Sequence, residues 1–192
     1  MKKTILQTLV LTLLCIVSLA GTYALIVFGV AQVMPNRGKG KIITYNGLTY
    51  YENIGQSFTS DKYFNSRPSA VGYNAAGSGG SNKGPSNPEY LAEVRQRTDS
   101  LLLKNPGIGR MDIPADMVTA SASGLDPHIS VLSARMQVKR IARVRNIRAS
   151  ELEILIKNHT DEPLMGILGP EKINVLKLNI ALDELENKQK TN

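Results

Sequence analysis

Between Lys3 and Arg37 the chain carries no charged side chain, and that gap restricts what it can fold into more than any other feature. From Ile5 to Met34 the residues are mostly Leu, Ile, Val and Ala, with a few Thr, Ser and Gly. A helix of roughly 25 such residues rises about 37 Å, enough to cross a hydrocarbon core of about 30 Å with some tilt. The competing reading is a cleaved secretory signal, since Lys2 and Lys3 form a basic start and Ser18-Leu19-Ala20 has a small-x-small pattern. Length argues against it. Signal cores run about 7–15 residues, whereas here the apolar run resumes at Tyr23 and continues to Val33. The expectation is a retained single span.

The expected organisation is a short tail over 1–6, a transmembrane helix over 7–34, a basic linker over 35–41 and one soluble domain over 42–192. Lys2 and Lys3 on one side nearly balance Arg37, Lys39 and Lys41 on the other, so charge alone does not orient the span. Signal-anchor logic leaves the N-terminus cytoplasmic and the domain outside the bacterial plasma membrane. On a helical wheel Thr8, Thr12, Cys15, Ser18, Thr22 and Gly29 share an arc of about 120°. Small, weakly polar residues suit helix packing in lipid, so these six are candidates for a face that meets a partner helix. Hydroxyls bonded back to their own helix are the plain alternative.

Beyond residue 34 the chain has 21 basic and 16 acidic residues, a net charge of +5. The lone cysteine, Cys15, lies inside the span, so the soluble part has no thiol to oxidise. With no Trp and three Phe, the core must be aliphatic, helped by Tyr.

Asn46-Gly47, flanked by β-branched and aromatic residues, predicts a hairpin over 41–51 with a type I′ turn. Ser66 to Pro88 is too dense in Gly, Ser, Asn and Pro for helix or strand. Asn87-Pro88-Glu89 reads as a cap, a proline and a first-turn acid opening a helix to about Lys104. Val118-Thr119 reads as a short strand. Ser130 caps a helix to about Arg145, Ser150 another to about Asn158, and Asn174 a last one, where Val175, Leu178, Leu182 and Leu185 recur at helical spacing. The fold class expected is α+β, with a small sheet and about four helices behind the span.

The Gly-Ser-rich segment fails both phosphate-binding templates: it holds no Gly-x-x-x-x-Gly-Lys-Ser/Thr run, and Asn82 stands where a third glycine is needed. His128 and His159 are the only histidines, and no Gly-x-Ser-x-Gly elbow frames a nucleophile. Thiols and clustered imidazoles for a metal are missing. Arg135, Lys139, Arg140, Arg143, Arg145 and Arg148 form a basic helix face, either solvated or facing an anionic partner. Nucleic acid is disfavoured by the span and by the lack of interleaved aromatics.

Four segments resemble the C subunit of Kdp-type potassium-transporting ATPases: Tyr63-Phe64-Asn65-Ser66-Arg67-Pro68-Ser69, Tyr73 to Asn82 with Pro85-Ser86-Asn87-Pro88, Val118 to Ser130, and Ile173 to Asp183. With the N-terminal span they cover nearly the whole chain in order. The chain departs from the pattern at Gly77, where an alanine is expected, and at Lys83, where an apolar residue is expected.

The resemblance implies a non-catalytic accessory subunit of an ATP-driven K⁺ uptake pump. Its partners would be a pore-forming subunit, an ATP-hydrolysing P-type subunit and a small membrane subunit. It would hold no cofactor of its own; K⁺ is the transported ion of the complex. The chain lacks the Asp-Lys-Thr-Gly-Thr phosphorylation motif and has too few spans for a pore. Two roles attach to the family. One is a catalytic chaperone that raises the ATP affinity of the hydrolysing subunit and shares its nucleotide, with Ser121, Ser123, Gly124, Arg140 and Arg143 as contact candidates. The other is an extracytoplasmic clamp on the pore subunit, with Arg67, Ser78, Gly79, Gly80, Ser81 and Asn82 as loop contacts. A domain outside the membrane cannot touch cytosolic ATP, and the clamp is the reading adopted. A domain of net +5 should cover the entrance without concentrating cations. The rival class is a membrane-anchored extracytoplasmic hydrolase built on His128 and a serine.

Overall fold

The computed structural model describes residues 2–191, which divide between Tyr51 and Glu52 into two compact units. In the first, a helix long and apolar enough to cross a membrane runs from Lys2 to Val33. It comprises α1 (Lys2–Ile16), a π-helical turn (Val17–Thr22) and α2 (Tyr23–Val33). The Ser18 hydroxyl donates to the Leu14 carbonyl at 2.5 Å where the wide turn begins, competing with the backbone for that acceptor. A π turn in effect inserts one residue and rotates the downstream helix by about 100°.

Pro35 ends the helix by forcing Met34 into extended backbone (ψ 155°). The hairpin forms as expected. Strands β1 (Ile42–Tyr45) and β2 (Leu48–Tyr51) pair antiparallel, Ile42 opposite Tyr51 and Tyr45 opposite Leu48. Asn46 (φ 51°) and Gly47 (φ 75°) are both left-handed, as a type I′ turn requires.

The second unit carries the mixed α+β fold. Residues 66–87 hold no helix or strand. Helix α3 (Pro88–Lys104) opens where the Asn87 side chain accepts the Tyr90 N–H at 2.9 Å. Helix α4 (Val131–Arg145) opens on Ser130, whose hydroxyl accepts the Ser133 N–H, and closes on Asn146 in the left-handed region. Helix α5 spans Ala149–Asn158, and α6 (Val175–Thr191) opens on Asn174, which accepts the Lys177 N–H at 3.1 Å.

Two boundaries differ from expectation. The cap of α5 is Arg148, not Ser150, which lies inside the first turn. Val118 and Thr119 form no strand. They come after a 3₁₀ turn (Ala115–Met117), and the Val118 and Thr119 N–H groups donate back to the Ala115 carbonyl. The sheet comes instead from β3 (His128–Ile129), β4 (Thr160–Asp161) and β5 (Lys172–Asn174), antiparallel in the order β3-β5-β4.

The aliphatic core gathers around α4. Ala134, Val138 and Ile141 pack with Leu152 and Ile156 of α5, Ile173 of β5, and Val175, Leu178 and Leu182 of α6. Phe64 is the one fully buried aromatic among the described residues and anchors the segment leading into the long coil.

Candidate functional site

The long coil is held by hydrogen bonds to a second coil 44 to 55 residues further along the chain. Gly79 donates its N–H to the Ser123 carbonyl at 2.9 Å, and the Ser78 hydroxyl donates to the same oxygen at 3.1 Å. Ser69 donates to the Gly124 carbonyl at 2.6 Å, and its hydroxyl also accepts the N–H groups of Val71 and Tyr73. The Tyr73 hydroxyl reaches back to the Arg67 carbonyl. Gly80 lies against the Ala122 carbonyl oxygen. Gly124 is left-handed (φ 68°), and a Cβ there would stand 2.6 Å from Val71 Cγ2 and 2.8 Å from the Gly79 oxygen. Only glycine fits both the conformation and the space.

At one end of this contact Arg67 Nη1 meets Asp126 Oδ2 at 2.9 Å. The other Asp126 oxygen accepts the His128 N–H at 3.0 Å and faces His128 Nδ1 at 3.1 Å. Burial pushes the Asp126 carboxyl up, but its bonds from His128 and the Arg67 charge outweigh that and hold it below the usual aspartate range. Arg67, Asp126 and His128 line two adjoining open depressions. One, of about 630 Å³, adds Asn53, Ser121 and Ser123; the other, of about 510 Å³, adds Asp116, Ser130 and Lys172.

The structure therefore brings Arg67, Ser78, Gly79 and Gly80 together with Ser121, Ser123 and Gly124, two groups the sequence suggested for separate roles. Ser81 and Asn82 lie exposed beyond them. Ser121 is buried, and the Ser123 hydroxyl accepts the Leu125 N–H at 3.1 Å. Gly124 is buried and closed over by Val71.

The basic face of α4 is smaller than its sequence suggests. Arg140 points inward at 2 % exposure and donates to the Asn105 side chain, the Asp61 and Tyr63 carbonyls and the Gln137 side chain. A guanidinium spent on four internal acceptors is an architectural clamp on residues 61–65 and is withdrawn from any surface ligand. Arg145 also turns in, pairing with Asp183 at 2.7 Å and Glu186 at 2.5 Å and lying over the Tyr63 ring. Arg135 pairs with Glu153 and Arg148 with Glu151. Lys139 and Arg143 remain exposed.

In the apolar helix, Thr8 donates to the Thr4 carbonyl at 3.0 Å and Ser18 to that of Leu14, so both hydroxyls bond within their own helix. Thr8, Thr12 and Cys15 precede the π turn, Ser18 and Thr22 lie within it, and Gly29 comes after it. The turn swings Thr22 and Gly29 about 100° away from the line of the first three.

Sequence reasoning passed over Ser69, and it passed over Asp116, which accepts the Ser130 N–H at 2.8 Å and both the Ser130 and Ser133 hydroxyls at the start of α4. No local signal marks the latter, which stands 14 residues before the cap it completes.

Comparison with known proteins agrees with this layout. The family model described as K⁺-transporting ATPase, c chain, matches residues 5–184. A Bacteroides fragilis protein named potassium-transporting ATPase KdpC subunit is 50% identical over 190 residues, covering 97% of this chain and 100% of its own length. Its namesake from Flavobacterium psychrophilum is 50% identical over 185 residues, covering 96% of this chain and 100% of that one. The namesake from Caldanaerobacter subterraneus is 41% identical over 192 residues, 99% of this chain and 100% of its own. A match over the span, the long coil, the 121–130 loop and α6 together leaves one assignment: the chain belongs to the C-chain family of K⁺-transporting ATPases.

Proposed function

We propose that the chain is a non-catalytic subunit that anchors itself by its N-terminal helix and clamps the pore-forming subunit of an ATP-driven K⁺ pump from outside the cytoplasm. The observation that carries this reading is the double-coil surface: a segment of 66–82 stapled through backbone groups to 121–125. Such a surface is rigid before it meets anything, so docking on it costs little ordering entropy. The remaining partners are the ATP-hydrolysing P-type subunit and the small membrane subunit, with lipid around the helix.

The chaperone role is carried, on this reading, by the assembly and not by direct contact with nucleotide. Ser121, Gly124 and Arg140 are committed within the domain, and Arg143 alone of the candidate cations is exposed. Any gain in ATP affinity would reach the hydrolysing subunit through the complex.

Topology is tested by placing a cysteine at Ser81 in a Cys15→Ser background and treating intact cells with a membrane-impermeant maleimide. Labelling before lysis is expected; labelling only after lysis overturns the extracytoplasmic placement. Esterase or amidase turnover that His128→Ala abolishes would establish the rival hydrolase.

A further inference from the structure

The least satisfied apolar surface of the second unit lies between β4 and β5. Eight consecutive residues, Pro163 to Pro170, have no polar side chain. They fold back as a narrow finger on a bridge between Leu164 and Leu168, whose N–H and carbonyl groups bond reciprocally at 3.0 Å. Gly166 donates to the Pro163 carbonyl at 2.8 Å and Ile167 to that of Leu164 at 3.3 Å. Met165 and Gly166 turn the tip in the left-handed region. Yet Leu164 is 67% exposed, Met165 84%, Ile167 81% and Leu168 58%.

We propose that this finger is a docking knob that inserts into an apolar pocket on another subunit of the pump. The inference rests on the accessory-subunit reading above. Three properties support it. Four large apolar side chains left in water at the end of a pre-formed turn can be buried with little further loss of backbone entropy, and each gains by leaving water. Most of the finger's N–H groups are bonded internally or replaced by proline, so a dry pocket imposes little polar penalty. The charges at its base choose between protein and lipid: Asp161, Glu162 and Glu171 stand against Lys172, which sits opposite Asp161 in the sheet, while Arg67, across the depression that Glu171 and Lys172 line, is already paired with Asp126. An acidic collar is repelled by anionic lipid heads and fits a pocket with a neutral or basic rim.

The test uses the full chain expressed with the other pump subunits and purified in mild detergent. Ile167→Glu with Leu168→Glu should reduce co-purification with the pore-forming and P-type subunits at least tenfold, with thermal unfolding of the chain shifted by no more than a few degrees. A benzophenone residue at Met165 should cross-link to a pump subunit. Equal recovery of variant and wild type, with the wild-type complex intact, overturns the knob while leaving the subunit reading standing. Cross-linking only to lipid also overturns it and makes the finger a membrane contact. Failure of the wild type itself to co-purify overturns the subunit reading, and the knob with it.

Discussion

Asn179 holds both polar groups of Phe64: its side-chain oxygen accepts the Phe64 N–H at 2.9 Å, and its side-chain nitrogen donates to the Phe64 carbonyl at 2.9 Å. The pair joins α6 to the start of the long coil across 115 residues, in a site where Asn179 is 2% exposed. Replacing it with alanine leaves two buried backbone groups without partners, each costing about 1–3 kcal/mol. Asn179→Ala should therefore destabilise the chain by about 2–4 kcal/mol, seen as a lower urea midpoint at unchanged slope.

Gly124→Ala attacks the platform itself. The added methyl meets Val71 and the Gly79 oxygen in a backbone conformation disfavoured for alanine. Amide exchange and proteolysis over 66–82 should rise markedly while protection in α4 to α6 changes little, because the core does not depend on that contact. Equal loosening of the core helices would contradict the local account.

The Arg67–Asp126–His128 cluster makes stability depend on pH in a definite sense. The folded Asp126 carboxyl titrates below its unfolded value of about 3.9. Its contribution is thus fully present above about pH 4 and lost as pH falls through the depressed folded value. Asp126→Asn should show a shallower loss of stability below about pH 4 than the wild type, in unfolding curves recorded from about pH 6 downward. Glu93, Glu151 and Glu186 are also held low by their cationic partners, so the wild type's acid limb is softened by the substitution, not removed.

Lys139 and Arg143 test whether the domain's charge gathers ions. If the subunit covers the entrance without concentrating K⁺, reversing both to Glu should change the pump's apparent K⁺ affinity by less than about twofold at low and high salt alike. A large shift at low salt that vanishes at high salt would reverse that view.

What could be read from the sequence was local chemistry. Asn46-Gly47, Asn87-Pro88, Ser130 and Asn174 each act on neighbours within a few residues, and each turn or helix appears where they place it. The three-stranded sheet was not legible, because strands of two or three residues carry no periodicity and are defined by partners 11 to 46 positions away. Val118 misled for a related reason: its β-branched side chain is buried, but its backbone is committed to a turn. Arg140 looked like a surface charge because its neighbours at Lys139 and Arg143 are. Only the fold reveals that Asn105, Gln137 and two carbonyls await it. The 66–88 half of the platform was legible as coil, yet nothing in it announces the 121–125 half that staples it. The apolar finger went unread, although the sequence carries it as eight residues without a polar side chain, set between Asp161-Glu162 and Glu171.

Because Ser69, Ser78 and Gly79 bond to the main chain of 123–124 rather than to its side chains, the stretch around 69–80 and the stretch around 121–125 behave as a single transplantable module. A chimaera that exchanges one with a distant relative while keeping the native other retains the staples only if both backbones keep their course. Swapping the two together is the safer graft.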